Sequence, residues 1–332
     1  KENIEMNSII EKPNKSNMLK ASQLLHNGKL VVFPTETVYG LGADASNDLA
    51  IKKLYKAKNR PTKNPLIVHV KDLEGALSIA HFSNLELLLA KKFWPGPLTL
   101  VLNKIPSEIS NKVTANLNTI AIRVPKNAIA QKLLETFGSP IAAPSANKSG
   151  EISPTLPAHA LDLRKNILMI LDGKDCEIGL ESTILRCDKH KVHILREGAI
   201  TRDKIKKCIS STFPKVELAF KSLGKDIIAP GQLLRHYSPK SPIHMNVLKP
   251  QIDNVFLAFG PIPSSCEGFS LSNTRNLEEA GRNLYNFMRL ADEIVLGRTN
   301  PIKKSIAVAP IPNTGLGISI NDRLARASSK KL

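Results

Sequence analysis

The chain has 332 residues, of which 42% are hydrophobic and 23% charged, so it is long enough for about two folded domains and global disorder is excluded. Its 47 lysines and arginines against 29 acidic residues give a formal charge of +18, which favours anionic partners such as nucleotides, nucleic acid or acidic lipids. No apolar run approaches the roughly 18 residues of a membrane span, and the first residues lack a signal-peptide core, so we expect a cytoplasmic protein without membrane contact. The four cysteines form no CxxC pair, so we expect neither a zinc site nor a disulfide.

Up to about residue 200, helical and strand-like patterns alternate. A helix with Ser16 or Asn17 as N-cap and Gly28 at its end comes first, and further helices are predicted at 48–58, 84–93 and 127–137. Strands are predicted at 30–33, 66–70, 98–102, 120–124, 141–143, 167–171, 183–185 and 193–195. This mixture over this length predicts one α/β domain.

The composition changes between about residues 204 and 242, where basic residues mix with Pro, Gly and Ser. We interpret the second half of this stretch as an interdomain linker. Beyond it, a strand at 255–259, a long helix at 276–292 and strands at 293–296 and 306–309 predict a second, smaller α/β domain.

Common nucleotide-binding and hydrolase signatures do not occur in the sequence. There is no GxxxxGK[ST], HExxH or GxSxG motif and no kinase set. The stretch from Gly40 to Ala45 matches the loose dinucleotide pattern GxGxxA. We discount it, because PTETVY separates it from the preceding strand and no acidic residue follows about 20 positions later.

Four polar clusters instead stand at the ends of predicted strands, where α/β sheets bind ligands. They are PTETVYG at 34–40, KAKNRP and NPLIVHV within 56–70, APSANKSG at 143–150, and ESTI at 181–184 with LREG at 195–198. Each by itself is typical of a turn, a solvated helix end or a loop, and a lone His69 is typical of a core histidine. Their order and spacing together indicate one ligand site.

Taken in order, these motifs resemble the YrdC-like family in its long two-domain form, the L-threonylcarbamoyladenylate synthases. The resemblance spans roughly residues 18–332 and includes FPTETVYGLGADA, KNRPTKNPLIVHV, FWPGPLTLVL, IAIRVP, PSANKSG, ESTI, LREG, RHYSPKSP, NLEEAGRNLYNFMRLAD and APIPNTGLGISINDRLARAS. It implies a YrdC-like twisted mixed sheet with helices, followed by a smaller Rossmann-like α/β domain. The expected limits are an N-terminal extension at 1–16, the catalytic domain at 17–210, the linker at 211–241 and the C-terminal domain at 242–332.

The resemblance implies an enzyme, a nucleotidyltransferase that condenses L-threonine, bicarbonate or CO2 and ATP into threonylcarbamoyl-AMP and pyrophosphate. The product would pass to a tRNA threonylcarbamoyl transferase complex, which modifies the adenosine next to the anticodon, and direct RNA contact stays open. Such chemistry needs positioning and charge neutralisation rather than a side-chain nucleophile. Mg²⁺ is expected with ATP, and no residue is assigned as a metal ligand.

The resemblance also implies roles for individual residues. Lys58 and Arg60 match the catalytic positions of the family. The L-threonine side matches Thr37, His69, Arg123, Ala143 and Ser182, with Thr35 close by. The ATP side matches Arg60, Asn64, Thr119, Ser145, Asn147, Ser153, Arg196 and Tyr237.

Two local features qualify these matches. Arg235, His236 and Tyr237 resemble a linker segment that folds over the nucleotide, and of these only Tyr237 is assigned to the ATP side. Asn59 stands where many members have glycine. Asparagine tolerates a left-handed backbone, so we expect the loop to survive.

Three other functions remain open on the sequence. The charge also fits a double-stranded RNA-binding module without adenylate-forming activity, although aromatic residues are only 5% and no RNP or KH motif occurs. A carbamoyl transferase of the maturation-factor type fits poorly, because those chains are longer and carry zinc fingers. A regulatory paralogue without activity is disfavoured by the intact motifs.

Overall fold

Two β-sheets with helices packed against them organise the chain. The structure is a computed structural model that describes residues 9–220, 229, 236–297 and 303–329. In these ranges the larger sheet has twelve strands. They are β1 (Ile10–Glu11), β2 (Val31–Phe33), β3 (Gly40–Asp44), β4 (Ile67–His69), β5 (Ala80–His81), β6 (Leu98–Lys104), β7 (Thr119–Arg123), β8 (Ile141–Ala142), β9 (Met169–Leu171), β10 (Thr183–Cys187), β11 (Lys191–Arg196) and β12 (Glu217–Phe220).

The larger sheet is mixed. Its order is β1-β9-β2-β3-β8-β4-β7-β6-β10-β11-β12, and β5 pairs with β6. The β4–β7 and β6–β10 pairs are parallel, whereas the β6–β7 and β4–β8 pairs are antiparallel. The predicted mixed α/β sheet is confirmed.

Helices pack on this sheet through their apolar faces, and asparagine or serine side chains cap several of them. The α-helices are α1 (Lys15–His26), α2 (Asp48–Lys58), α3 (Leu73–Leu77), α4 (Asn84–Phe93), α5 (Ala128–Phe137) and α6 (Arg202–Ser210), and Pro157–Leu163 forms a 3-10 helix. Asn47 and Asn127 accept main-chain N–H groups of the first turns of α2 and α5. Ser83 and Glu86 form a capping box at α4.

The N-terminal cap of α1 differs from the prediction. Asn14, rather than Ser16 or Asn17, accepts the N–H of Asn17, so the helix begins earlier than expected. The predicted N-terminal extension also takes part in the fold, because Ile10 and Glu11 pair in parallel with β9.

Strand β3 was not predicted, because glycines give its sequence the pattern of a loop. Gly42 lies against Phe33 of the neighbouring β2, and a Cβ atom at Gly42 would come within 2.9 Å of the Phe33 ring. The glycine therefore allows a close approach of strand and ring that no periodicity reveals.

In the described residues, the second domain is a parallel sheet with two helices. Its strands are β13 (Ile243–His244), β14 (Asn254–Phe259), β15 (Gly268–Ser272) and β16 (Ser305–Val308), in the order β13-β16-β14-β15, and its helices are α7 (Leu277–Val295) and α8 (Gly317–Ser328). The predicted strand at 293–296 is wrong. Helix α7 continues to Val295, because Ile294 and Val295 pack against the core of this domain.

The predicted linker is only partly described. Within the predicted linker at 211–241, residues 217–220 form β12 in parallel with β11 at the edge of the large sheet. Arg235 lies outside the described residues, and the chain is described again from His236, which is buried with Tyr237 and Ser238. Tyr237, Val38, Ile152 and Leu180 share one hydrophobic cluster with the helices of the second domain, so the two domains pack together.

None of the helices in the described ranges combines the length and the apolar composition that a bilayer crossing requires.

Candidate active site

A buried polar cavity lies on one face of the large sheet. Ile67 and His69 are two residues apart on β4, so their side chains share a face, and Arg123 of β7 pairs with His69 in the parallel register. The segments after β2 and β8, the turn before β10, the end of β11 and His236–Tyr237 complete the wall. Of the residues predicted from the sequence, Thr35, Thr37, Arg60, His69, Arg123, Ala143, Ser145, Ser182, Arg196 and Tyr237 line this cavity.

Arg123 is held at one side of the cavity by two residues of PTETVYG. Its Nη2 contacts Glu36 Oε1 at 2.7 Å in a buried ion pair, and its Nη1 donates to Thr37 Oγ1 at 2.8 Å. The other oxygen of Glu36 accepts the N–H of Lys126 at 3.0 Å, just before α5. These contacts fix the guanidinium of Arg123 in the wall of the cavity.

Arg60 and Lys58 flank the short loop that follows α2. Arg60 donates from Nη2 to Asn64 Oδ1 at 2.7 Å and to Pro65 O at 2.8 Å. Lys58 donates from Nζ to the main-chain oxygens of Ser145 and Asn147. Lys58 therefore ties this loop to the PSANKSG loop rather than lining the cavity itself.

The left-handed residue between these two cations ends the helix. Asn59 has φ 50° and ψ 46°, and its N–H reaches the carbonyls of Tyr55 and Lys56. The expectation that asparagine accepts this conformation is confirmed.

The opposite wall is built around Ser182. Its Oγ lies 2.8 Å from Thr99 Oγ1 and accepts from Arg196 Nη2 at 3.0 Å, and Arg196 Nε donates to Ser182 O at 3.0 Å. These hydrogen bonds join the turn before β10 to the end of β11, and the two strands also pair with each other in antiparallel register.

Burial lowers the pKa values of Arg60 and Arg196, which line the cavity, and of Lys58 behind it. Burial, with Arg60 nearby, holds the pKa of Lys58 well below its usual value. Burial is also the main cause that lowers the pKa of Arg60 to about 10. Burial lowers the pKa of His69 and of His236 to about 3, so both imidazoles are neutral near pH 7. An anionic ligand would relieve the repulsion among these groups.

Several buried polar atoms around the cavity have no hydrogen-bond partner within the described residues. They are Asn64 Nδ2, His69 Nδ1, Asn147 Oδ1, His236 Nδ1 and Tyr237 Oη. Buried polar groups are nearly always satisfied, so a cluster of unpaired donors and acceptors indicates a site for a polar ligand.

Four of the predicted residues lie behind the wall instead of in it. Lys58 and Asn64 contact the loops as described, Asn147 donates from Nδ2 to the carbonyls of Lys148 and Glu151, and Ser153 donates to Glu181 at 2.6 Å. Thr119 does not line the cavity either. It is half-buried at the start of β7, on the same face of the strand as Ala121 and Arg123, and its assignment to the ATP side stays a prediction.

Two carboxylates in the site were not singled out from the sequence. Glu36 holds Arg123, and Glu181 lines the cavity next to Ser182. Glu36 lies inside the motif PTETVYG and Glu181 inside ESTI. An acidic residue within one of these polar motifs was therefore the sequence feature that could have identified them.

A cavity walled by buried arginines, hydroxyl groups and neutral imidazoles on a mixed α/β sheet is chemically suited to small polar anions. The family model Sua5_yciO_yrdC, described as telomere recombination, matches residues 23–198, and the model described as threonylcarbamoyl-AMP synthase, C-terminal domain, matches residues 200–329. The chain belongs to the Sua5–YciO–YrdC family, in the form that carries the Sua5 C-terminal domain.

Relatives match along nearly the whole chain. The threonylcarbamoyl-AMP synthase of Bacillus subtilis is 36% identical and covers 96% of this chain and 95% of its own. The enzyme of that name from Pyrococcus abyssi is 37% identical over 94% of both. The crystal structure of P. abyssi Sua5 complexed with L-threonine superimposes with a TM-score of 0.83 at 34% identity, covering 96% of each chain. The family and the two-domain fold expected from the motifs are confirmed.

Proposed function

We propose that the chain is a threonylcarbamoyl-AMP synthase, an enzyme that joins L-threonine, bicarbonate or CO2 and ATP and releases pyrophosphate. The observation that carries the proposal is that a single cavity brings together the cations Arg60, Arg123 and Arg196 with the hydroxyls of Thr37 and Ser182. The relatives that match along the whole chain bear this name, and one of them was crystallised with L-threonine.

The reaction is a nucleotidyl transfer that forms two bonds. The threonine amine adds to CO2 and loses a proton, which gives a carbamate. A carbamate oxygen then attacks the α-phosphorus of ATP, and the bond to the pyrophosphate oxygen breaks. No protein nucleophile is needed, so the chain acts by holding two anions together and offsetting their charge.

Arg60, Arg196 and Ser145 form the ATP side of the proposed site. The Arg60 guanidinium can fork onto phosphate oxygens, as an ammonium cannot. Lys58 supports this side from behind, by fixing the loop that carries Ser145. Asn147 Oδ1 and Asn64 Nδ2, which lie behind the wall and are unpaired within the described residues, would reach the nucleotide once the walls separate.

Arg123, Thr37, His69 and Ser182 form the threonine side. Arg123 would bind the amino-acid carboxylate while Glu36 keeps the guanidinium oriented. His69 stays neutral, so its unpaired Nδ1 can donate or accept one hydrogen bond without adding charge next to Arg123.

Mg²⁺ is proposed to arrive with ATP. The described residues contain no group of three or more His, Cys, Asp or Glu that could hold a metal ion, and the Glu181 carboxylate already accepts from Ser153, Tyr285 and Arg323. These residues therefore fit an ion bound mainly by phosphate oxygens and water, where it would offset charge on the leaving pyrophosphate.

Nucleotide entry requires the walls of the cavity to separate. The free volume of the cavity is about 50 Å³, whereas ligand pockets usually span roughly 300–1,000 Å³. His236 and Tyr237 line the cavity, and the N–H of Ser238 donates to the carbonyl of Gly150 at the end of the PSANKSG loop at 2.9 Å, so these two segments meet at the cavity wall.

Mass spectrometry of a rapidly quenched reaction tests the function. ATP, Mg²⁺, bicarbonate and L-threonine are supplied together and then each is omitted in turn. A threonylcarbamoyl-AMP mass that requires all three substrates, with release of pyrophosphate, is expected. A folded sample that forms no adenylate but binds RNA in a salt-sensitive way would contradict the proposal and favour an RNA-binding module. Transfer of the product to a tRNA-modifying transferase is part of the proposal and needs a coupled assay.

A further inference from the structure

A fully buried polar cluster joins the second domain to the wall of the cavity. We define it as the Glu181 junction, made of Ser153, Glu181, Tyr237, Tyr285 and Arg323. The Glu181 carboxylate accepts from Ser153 Oγ at 2.6 Å, from Tyr285 Oη at 2.9 and 3.1 Å and from Arg323 Nε at 2.9 Å. Tyr285 lies on α7 and Arg323 on α8, so the second domain supplies most of these hydrogen bonds.

The second domain also sets the charge of Glu181. Burial by itself would raise the pKa of this carboxyl group, but Arg323, Arg196 and the hydrogen bonds lower it to about 2. Glu181 is therefore ionised, and a buried carboxylate is tolerated here because an arginine from another domain compensates it.

Tyr285 and Arg323 hold Tyr237 as well. The rings of Tyr237 and Tyr285 stack with centroids 5.8 Å apart, and the Arg323 guanidinium lies 5.0 Å from the Tyr237 ring. Tyr237 has φ 63°, a conformation that a bulky residue adopts only when its surroundings impose it. Tyr285 and Arg323 therefore contact both Glu181 and Tyr237, two residues that line the cavity.

Backbone contacts bring the second domain close to the same wall. Gly179, with φ 75°, packs so tightly on α7 that a Cβ atom would lie 2.6 Å from the Cα of Arg282. Ser319 Oγ of α8 donates to the carbonyl of Gly198 at 2.8 Å, and Gly198 in turn lies against the backbone of Thr183. The turn before β10 and the segment after β11 are both contacted from the second domain.

The wall held in this way carries the proposed substrate contacts. Ser182 follows Glu181 directly, and Arg196 is bonded to the hydroxyl and the carbonyl of Ser182. A displacement of Glu181 would therefore move the hydroxyl offered to threonine together with the guanidinium offered to ATP.

We propose that Tyr285 and Arg323 of the second domain are positioning residues for the reaction, which act through Glu181 to hold the Ser182–Arg196 wall in its substrate-binding arrangement. The inference rests on the proposed function for its substrates, and it extends that function by making the active site incomplete without the second domain. Neither side chain lines the cavity, so neither is a catalytic residue.

Tyr285→Phe and Arg323→Met test this inference by two readouts, threonine binding measured by calorimetry and steady-state kinetics of adenylate formation. Loss of a hydrogen bond to a charged group should raise the Kd and the KM for L-threonine by about five- to twenty-fold, with a smaller change in kcat. Arg326→Met is the matched control, because Arg326 also pairs with Asp322 on α8 but lies about one helical turn from Arg323. We expect it to leave both constants within about two-fold of the original, because Arg326 is not part of the Glu181 junction.

A double-mutant cycle separates positioning from simple loss of stability. If Tyr285 acts through Glu181, Tyr285→Phe should change threonine binding little further in a Glu181→Gln background. The inference would be overturned if the effects of Tyr285→Phe and Glu181→Gln on the Kd for threonine multiply independently. It would also be overturned if Tyr285→Phe leaves the Kd and KM unchanged, or if Arg326→Met changes them equally. Thermal melts show which variants stay folded, and the single-atom change Tyr285→Phe keeps the test valid if Arg323→Met does not fold.

The two proposals fail in different ways. If the unmodified protein binds threonine but forms no adenylate, the proposed function fails. The Kd values of the variants for threonine then still test whether the Glu181 junction positions the binding wall. If the unmodified protein does not bind threonine at all, both proposals fall.

Discussion

Arg60 is the cation whose contacts most directly join fold and chemistry. Its Nη2 is anchored on Asn64 and Pro65 while its side chain lines the cavity. Arg60→Ala should lower adenylate formation by about 10²- to 10³-fold, because one positioned donor to developing charge is removed. Lys63→Ala, an exposed lysine of the same loop, is the control. Normal activity of Arg60→Ala with a normal melt would remove Arg60 from the site.

ATP binding should raise the pKa of Lys58, so that any proton this side chain exchanges on binding is taken up rather than released. Its pKa in the free protein is held well below the usual lysine value, first by burial and then by Arg60. Phosphate charge nearby raises that pKa, so the ammonium form is favoured in the complex. Calorimetry of ATP binding in two buffers of different ionisation enthalpy should show net proton uptake, and affinity should fall as the pH rises. Lys58→Met should abolish the uptake, and an unchanged value would contradict the assignment.

Substrate choice belongs to the residue scale as well. The site offers hydroxyl partners at Thr37 and Ser182, so valine would leave a buried polar group unpaired, whereas serine lacks only a methyl group, worth about 1–3 kcal/mol. Serine should be used weakly and valine hardly at all when kcat/KM values are compared in the adenylate assay. Equal turnover of valine and threonine would refute this reading.

Among the elements, helix α2 is fixed by its C-terminal residue. Asn59 adopts φ 50° and turns the chain so that the N–H of Arg60 meets the carbonyl of Tyr55. Asn59→Gly should leave the free energy of unfolding nearly unchanged, whereas Asn59→Ala should lower it by about 1 kcal/mol, because a β-carbon disfavours the left-handed region. Urea unfolding of the pair checks this. Equal stability of both variants would show that the left-handed turn does not matter.

The elements also show where sequence patterns succeed. Helices α2 and α4 have the predicted bounds, because each combines an asparagine or serine cap with apolar residues at helical spacing. Strand β3 and the end of α7 were missed, since Gly42 fits against Phe33 and Ile294 packs in the second core. Those contacts come from neighbours distant in sequence, and local periodicity does not contain them.

At the scale of the whole molecule, two buried histidines should make the protein sensitive to acid. Burial lowers the pKa of His69 and His236 to about 3, against 6.5 in the unfolded chain. Between these values the unfolded chain binds more protons, so stability rises with pH up to about 6.5 and is lost as the pH falls. At pH 5 each histidine should reduce the free energy of unfolding by up to about 2 kcal/mol relative to pH 7.5.

Urea titrations at pH 7.5 and pH 5 measure this effect. His69→Gln should flatten the pH dependence, while His190→Gln, which changes an exposed side chain, should not. Parallel pH profiles for the original chain and His69→Gln would show that His69 does not carry the effect.

The sequence alone determined the family, the alternation of helices and strands, and the motifs whose residues line the cavity, because these depend on local pattern and on the order of motifs along the chain. Only the tertiary structure decided that Lys58 lies behind the wall, that Glu36 holds Arg123 at the cavity, and that Glu181 pairs with Arg323 of the second domain. It alone brought Tyr285 and Arg323 to Glu181, although they stand more than a hundred residues away. Such contacts arise from the packing of one domain on another, and the burial that results sets the charge states of the site.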